Sequence, residues 1–170
     1  MVKIESPVVS TKWLGEEIGA SNLILLDASV PPVVPGYVSV NSKESFSVIP
    51  GSRRFDFDQV ICKPNTSLPH MMPTPELFER EVRKLGINNS SAIVVYDDVG
   101  LYASPRAWWM FRAMGHQEIA VLDGGLPQWM SEGRGVLGEF HKSTSGDLVA
   151  SPTEHLVRAL ACVFNALDSP

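Results

Sequence analysis

The sequence is poor in cysteine, and this limits the covalent and metal chemistry that it can support. Cys62 and Cys162 are its two cysteines, and they lie 100 positions apart. This spacing matches no metal-binding motif and does not indicate a disulfide framework. We therefore expect no cysteine-bound metal and no cofactor, and a chain that works in a reducing compartment such as the cytoplasm.

Excess positive charge and long apolar runs are also missing. The chain has 14 Lys and Arg against 19 Asp and Glu, for a net charge of −5, and it builds no basic stripe for nucleic acid. Apolar runs such as Ala92–Tyr96 are far shorter than the roughly 20 residues that a membrane helix needs. The start, "MVKIESPVVSTKW", lacks the apolar core of a signal peptide. We therefore expect neither a nucleic-acid nor a membrane partner.

Hydrophobic residues make up 44% of the chain, enough to fill the core of one domain. Three runs have the continuous apolar character of buried parallel strands: "LILLD" (Leu23–Asp27), "AIVVY" (Ala92–Tyr96) and "EIAVLD" (Glu118–Asp123). They alternate with segments that have the signals of helices. This alternation predicts an α/β fold with a largely parallel sheet.

The predicted helices are marked by their terminal residues. Ser10 is placed to cap "TKWLGEEIG", and "GGLPQWMSEG" predicts a glycine turn followed by a short helix. Thr74-Pro75 predicts a helix with Thr as N-cap and Pro at the first helical position. Ser104-Pro105 predicts a second helix that starts by the same device. Residues 28–54 predict a long loop, and long loops in compact domains are often functional.

The composition changes after residue 133. Gly, Ser, Lys and Thr become frequent, which predicts a domain at 1–133 followed by a linker at 134–150. An amphipathic helix is predicted for 151–170, with Ser151 and Glu154 forming a capping box. Such a helix needs a partner surface.

Two aspartates, Asp97 and Asp98, follow the strand "AIVVY" directly. Ligands of open α/β sheets bind at the carboxyl ends of strands. One interpretation is therefore a metal or phospho-acceptor site completed by Asp27 and Asp123, which also end strands. The other is that these aspartates accept hydrogen bonds from backbone N–H groups of the following turn. The residues alone leave both interpretations open.

Other candidate groups are weaker. Asp58 and His70 could form a proton relay, but their spacing across a loop does not establish contact, and a solvated His is the alternative. Neither Cys62 nor Cys162 sits on a strand-to-helix turn that would activate a thiol, so we expect no catalytic role for them. The aromatic residues have helical spacing and favour core packing over a stacking platform; they are Trp108, Trp109, Phe111 and Trp129.

Five segments taken together resemble the rhodanese family of sulfurtransferases. They are "LLDAS", "VIPGSRRFDFD", "HMMPTPELFEREVRKLGI", "VVYDDVGLYASPRAWWMFRAMGH" and "VLDGGLPQWMSEG". They follow the family's order over residues 8 to 133 and are similar to the N-terminal half of the tandem-domain thiosulfate and 3-mercaptopyruvate sulfurtransferases. The resemblance implies a doubly wound, mostly parallel sheet flanked by helices.

The resemblance also implies a function. Sulfur would pass from a small-molecule donor to a cysteine of a second rhodanese domain, forming a persulfide, and then to a thiol acceptor. This chain alone would be inactive and would contribute to the substrate cleft, and the helix at 151–170 would begin the second domain. The alternative is a stand-alone, non-catalytic rhodanese domain that serves as a binding or regulatory module. Rapid proteolysis within 134–150 favours the first reading and resistance favours the second.

Three site residues come from the resemblance. Asp97 falls at the loop position where the catalytic domain has its nucleophile, and a carboxylate there can fill the loop's anion pocket but cannot carry sulfur as a persulfide. "FDFD" offers Asp58 and "HMMP" offers His70, matching a pair proposed to relay protons with a serine of the second domain. One departure is Val48, which stands where the family usually has His.

Overall fold

A parallel β-sheet of five strands organises the computed structural model, which describes residues 1–42, 45–153 and 156–157. The strand order is β1-β5-β4-β2-β3, and every neighbouring pair is parallel. After β2, the chain adds β3 on one side of β2. It then returns and adds β4 and β5 on the other side, so that β1 lies at the far edge. The predicted doubly wound α/β fold is confirmed. The strands are β1 (Val8–Val9), β2 (Leu23–Asp27), β3 (Arg53–Arg54), β4 (Ala92–Tyr96) and β5 (Ile119–Leu122).

Helices cover both faces of the sheet because side chains alternate along each strand. On one face, Ile93 and Val95 of β4 pack with apolar residues of α2 and α3. On the other, Val94 and Tyr96 pack with α1 and α4. The carboxyl ends of the strands are left for the loops that carry the candidate site. The helices are α1 (Thr11–Glu17), α2 (Pro75–Lys84), α3 (Ser104–Ala113) and α4 (Gly125–Ser131).

The helix starts follow the sequence signals with one exception. The Ser10 hydroxyl accepts a hydrogen bond from Trp13 N–H, and Thr74 caps α2 in the same way. The prediction that Ser104 caps α3 is wrong. Ala103 is the N-cap and makes no side-chain hydrogen bond, while Ser104 is already helical. The Ser104 hydroxyl donates to Asp97 instead, so a tertiary contact takes the place of the local cap.

Residues 137–153, which we call the strap, run back across the domain. Leu148 of the strap is buried in the core that lies under α2 and α3. The predicted linker at 134–150 is thus packed on the domain, and its role as a connection to a second domain stays a prediction. Backbone hydrogen bonds hold the strap at Leu137 N to Val48 O, His141 N to Ser52 O, Gly146 N to Arg83 O, Leu148 N to Ile87 O and Ser151 N to Met114 O, at 2.8–3.1 Å.

The helix predicted for 151–170 lies mostly outside the described residues, since residues 154–155, with Glu154 of the capping box, and 158–170 are not among them. Within the described residues, no helix is both long and apolar enough to span a bilayer.

Candidate functional site

Asp97 is fully buried at the carboxyl end of β4 and is enclosed by its own loop. Its carboxylate accepts six hydrogen bonds from the loop and the start of α3. Five of the donors are backbone N–H groups, and the sixth is the Ser104 hydroxyl at 2.7 Å. Oδ1 accepts from Val99 and Gly100, and Oδ2 accepts from Tyr102, Ala103 and Ser104, with N–O distances of 2.8–3.1 Å.

These donors decide the charge of Asp97. Burial acts to raise the pKa of its carboxyl group, but the hydrogen bonds from Ser104, Tyr102 and Ala103 outweigh burial and lower the pKa. The carboxylate is therefore ionised at neutral pH and fills the anion pocket that converging N–H groups at a helix start create. This is the turn-capping interpretation of the sequence, realised with more donors than a simple turn supplies.

The metal interpretation finds no support at this end of the sheet. Both oxygens of Asp97 are engaged by its own loop. Across residues 1–42, 45–153 and 156–157, no three His, Cys, Asp or Glu side chains are grouped so that they could hold a metal ion. Asp27, Asp97 and Asp123 therefore do not form the acidic cluster that their strand-end positions suggested.

The start of α4 packs closely against the loop that holds Asp97. Leu126 N–H donates to the Asp97 carbonyl at 3.0 Å. A Cβ atom added to Gly125 would lie 2.8 Å from the Gly100 carbonyl oxygen, and the φ of Gly125 is +52°. A glycine is thus required for α4 to approach the loop this closely.

Asp58 and His70 lie next to each other, although 11 residues separate them in the sequence. Nδ1 of His70 is 3.3 Å from Oδ1 of Asp58, and their side chains are 37% and 30% exposed. The contact lacks the direction of a hydrogen bond, and the buried Nδ1 has no hydrogen-bond partner among the described residues. The exposed area of the His70 side chain therefore belongs to atoms other than Nδ1. Asp58 and His70 are therefore neighbours, which their spacing in the sequence could not establish. Their function as a proton relay stays a prediction.

A cavity of about 490 Å³ joins His70 to the Asp97 loop. Tyr102 and Ala103, whose N–H groups bind Asp97, line it together with His70. Mostly apolar walls with a few polar groups are typical of small-molecule sites. The lining residues are Val30, Phe57, Pro69, His70, Met71, Tyr102, Ala103 and Arg106.

Sequence reasoning missed Arg54 and Arg106 at this end of the sheet. Arg54 lies opposite Asp27 in the β2–β3 register, and its Nη1 is 3.3 Å from Asp27 Oδ1. Burial raises the pKa of Asp27 more than its hydrogen bonds with Ser29 and the charge of Arg54 lower it. Arg106 donates to the His70 carbonyl at 2.6 Å. Both arginines lie in segments that resemble the family. Their partners follow only from the structure, because the β2–β3 register places Arg54 beside Asp27 and the fold places Arg106 beside His70.

The remaining candidates have structural surroundings. Trp129 and Phe111 are buried in the two core clusters, and Trp108 and Trp109 pack against one of them. Burial and the charges of Asp56 and Asp58 raise the pKa of the Cys62 thiol, which disfavours the thiolate. The second cysteine, Cys162, lies outside the described residues.

Sequence comparison identifies related proteins. The family described as "Rhodanese-like domain" matches residues 10–132. Thiosulfate/3-mercaptopyruvate sulfurtransferase 1, mitochondrial, of Arabidopsis thaliana is 41% identical over 150 residues, which are 87% of this chain and 38% of that protein. The 3-mercaptopyruvate sulfurtransferase of Escherichia coli K12 is 33% identical over 171 residues, covering 95% and 60%. The chain thus spans roughly two fifths to three fifths of these relatives.

Solved structures give the same picture. The crystal structure of SseA from Escherichia coli, described as a 3-mercaptopyruvate sulfotransferase, superimposes with a TM-score of 0.81 at 28% identity. That match covers 95% of this chain and 61% of SseA. A sulfur transferase subunit of yeast mitochondrial complex I gives a TM-score of 0.76 at 27% identity, covering 96% and 58%.

Proposed function

The chain belongs to the rhodanese family, and on that premise we propose that it is the non-catalytic, cleft-forming half of a sulfurtransferase. The donor is thiosulfate or 3-mercaptopyruvate, and the acceptor is a thiol. A cysteine of a second rhodanese domain carries the sulfur as a persulfide. Relatives that bear the names of these activities are about 1.7 to 2.6 times as long as the part this chain matches, so a second domain is part of the proposal.

The single observation that carries the proposal is the occupied anion pocket around Asp97. Rhodanese chemistry needs a nucleophilic sulfur whose thiolate and persulfide anions are stabilised by loop N–H groups. Here the five N–H groups bind the Asp97 carboxylate. A carboxylate cannot hold sulfane sulfur as a persulfide, so this loop supports a structural role and leaves sulfur transfer to another domain.

The Asp58–His70 pair supports a chemical contribution from this half. His70 Nδ1 lies 3.3 Å from Asp58 Oδ1, so the carboxylate can stabilise a protonated ring, and in the proposed relay Nε2 meets the reacting group. The ring lines the cavity next to Tyr102. In the proposed protein, His70 exchanges a proton with a serine of the catalytic domain while the sulfur donor is cleaved.

Sulfur-transfer assays on the 170-residue chain test the proposal. We expect no turnover with thiosulfate and cyanide or with 3-mercaptopyruvate, and no persulfide on Cys62 or Cys162 by mass spectrometry. Turnover through a persulfide on either cysteine would overturn the proposal.

A chimera tests the contribution of the relay. In it, this chain replaces the matched segment of the Escherichia coli 3-mercaptopyruvate sulfurtransferase. We expect Asp58→Asn and His70→Gln to lower kcat by about 100-fold, a common size for acid–base catalysis, while the exposed Asp123→Asn has no effect. Equal rates for all variants would reject the relay and retain the cleft-forming role.

A second candidate function is a stand-alone binding or regulatory module. The strap favours it, because residues 137–153 are fixed to the domain by backbone hydrogen bonds and by the buried Leu148. A segment that only joined two domains would need few such contacts. Purification of the protein from its native source separates the two functions, since the tandem enzyme copurifies with sulfur-transfer activity and the module does not.

For location we propose the cytoplasm. A reducing compartment suits a chain that has two cysteines, and one relative is named as mitochondrial. Cell fractionation with an antibody against the chain distinguishes the two compartments.

A further inference from the structure

Arg106 makes a direct contact with the backbone of His70. Its Nη2 donates to the His70 carbonyl oxygen at 2.6 Å. Arg106 belongs to the first turn of α3, whereas His70 lies in the loop between β3 and α2. A hydrogen bond from a guanidinium is charge-assisted and stronger than one between neutral groups. The contact therefore joins the start of α3 to the loop between β3 and α2, two segments that are distant in the sequence.

The backbone of His70 needs such support. Its φ is +56°, in the left-handed region, which is unfavourable for a residue with a Cβ atom. Left-handed residues outside glycine persist when surrounding contacts fix them. The Arg106 hydrogen bond fixes the direction of the His70 carbonyl, and thereby the direction in which the imidazole leaves the backbone.

Arg106 is itself held in place. Its guanidinium carbon lies 4.7 Å from the centre of the Trp109 ring, in a cation–π contact. Its Nε is buried and has no hydrogen-bond partner among the described residues, and burial lowers the pKa of the guanidinium. A guanidinium that is held in one position by the Trp109 ring can fix the orientation of the His70 carbonyl.

We propose that Arg106 is a positioning residue that sets the His70 ring against Asp58. It acts through the His70 peptide and does not touch the reacting atoms. The inference rests on the proposed function, in which His70 transfers a proton. Arg106 also lies three residues after Ala103, whose N–H binds Asp97, so one helix start fixes both the buried carboxylate and the histidine.

The loop has a second anchor beside His70, so loss of Arg106 is expected to reorient His70 without unfolding the domain. Lys63 N–H donates to the Met71 carbonyl at 2.9 Å. The rings of Phe57 and His70 lie 5.4 Å apart. This ring pair gives a spectroscopic signature, because the Phe57 ring current shifts the His70 ring protons and the two rings share an NOE.

NMR of the full 170-residue chain tests the inference. We expect Arg106→Met, which keeps the apolar stem, to abolish the Phe57–His70 NOE and move the His70 ring signals toward those of free histidine. Arg106→Lys retains one donor and is expected to restore most of the NOE. His116, buried against Phe111 at 6.0 Å, reports on the fold and should be unchanged.

Arg112 provides a matched control on the same helix. Its guanidinium lies 5.4 Å from the Trp108 ring and donates to Gln117 at 3.4 Å, away from His70. Arg112→Met should leave the His70 signals unchanged. Unaltered His70 signals in a folded Arg106→Met protein would overturn the inference.

A second measurement decides the matter even if Arg106→Met does not fold. In the unsubstituted chain, the Nη protons of Arg106 should exchange and rotate more slowly than those of Arg112. Equal behaviour of the two guanidinium groups would contradict the inference. The proposed proton relay fails separately, when Asp58 and His70 variants leave sulfur transfer unchanged, because none of the NMR measurements depends on activity.

Discussion

Ser104 donates two hydrogen bonds to a single oxygen of Asp97. Its backbone N–H lies 2.9 Å and its hydroxyl 2.7 Å from Asp97 Oδ2. The residue that sequence signals assign to a helix cap thus belongs to the pocket of a buried carboxylate. Because Ser104 starts α3, the same contact fixes the direction of the helix that carries Arg106. The charge of Asp97 is therefore a structural element of this end of the sheet.

We predict that Asp97→Asn destabilises the domain by about 3 kcal/mol, since an amide presents its own donors to N–H groups that need acceptors. Chemical denaturation at neutral pH measures the change. The matched control is Asp123→Asn, at an exposed strand end, which should alter the free energy of unfolding by no more than about 0.5 kcal/mol. Equal stability of the two variants would contradict a structural role for the Asp97 charge.

The same carboxylate predicts a pH dependence. Its pKa is lowered in the folded protein, from an ordinary value of 3.8. Its ionised form is thus favoured by folding, and the stabilisation is fully present above that ordinary value. It is lost as pH falls through the lower folded-state pKa. Acid titrations of unfolding free energy should show this loss in the wild type, and a smaller loss below about pH 4 in Asp97→Asn.

Removing the carboxylate should open the pocket to an external anion. We predict that sulfate raises the melting temperature of Asp97→Ala by several degrees while leaving the wild type nearly unchanged, because only the variant has free N–H donors. Differential scanning fluorimetry with sodium sulfate and with sodium chloride at matched ionic strength measures the effect. A sulfate response of equal size in both proteins would indicate a general salt effect.

The outline of this fold could be predicted from local signals, and particular residues show where such signals stop. The strands at Leu23–Asp27 and Ala92–Tyr96 are continuous apolar runs, and Thr74 caps α2 by local chemistry. The two-residue β1 has no such pattern, because its pairing with β5 depends on the rest of the sheet. Ser104 has the right local signal, but a tertiary partner overrides it.

The candidate site was predictable only in part for a related reason. Asp97 follows a clear strand, so its position at the sheet edge could be inferred. Asp58 and His70 came from family resemblance, since contact across a loop leaves no periodic pattern in a sequence. The role of Arg106 could not be predicted from the sequence. Its hydrogen-bond partner is the backbone carbonyl of His70, and every residue type has a backbone carbonyl.

His116 predicts a second pH effect, near neutrality. The residue is buried, and Nε2 lies 2.9 Å from the Ser91 carbonyl. Burial lowers the pKa of His116 below its ordinary value of 6.5, more than contacts with Ser91 and Glu118 raise it. Folding thus favours the neutral ring, and its stabilisation is complete above pH 6.5 and declines as pH falls toward the lower folded-state pKa.

Unfolding free energies between pH 5 and 8 measure this decline. His116→Gln should flatten the profile over that range, because the neutral amide does not titrate. The exposed His141→Gln should leave the profile as in the wild type. Identical profiles for all three proteins would show that His116 does not contribute.

The strap yields a prediction about proteolysis that also bears on the two candidate functions. A Cβ atom added to Gly146 would overlap the Ile87 backbone, so Gly146→Ala should displace the strap at a cost of about 2 kcal/mol. Trypsin is then expected to cut after the exposed Lys142 at least tenfold faster than in the wild type. Gly135→Ala is the control, because a Cβ there meets nothing within 4 Å, and its cleavage rate should match the wild type.

Slow wild-type cleavage within 134–150 would mean that the strap is part of the domain, as the module function requires. Rapid wild-type cleavage, unaffected by Gly146→Ala, would contradict the packed strap and favour a connecting segment.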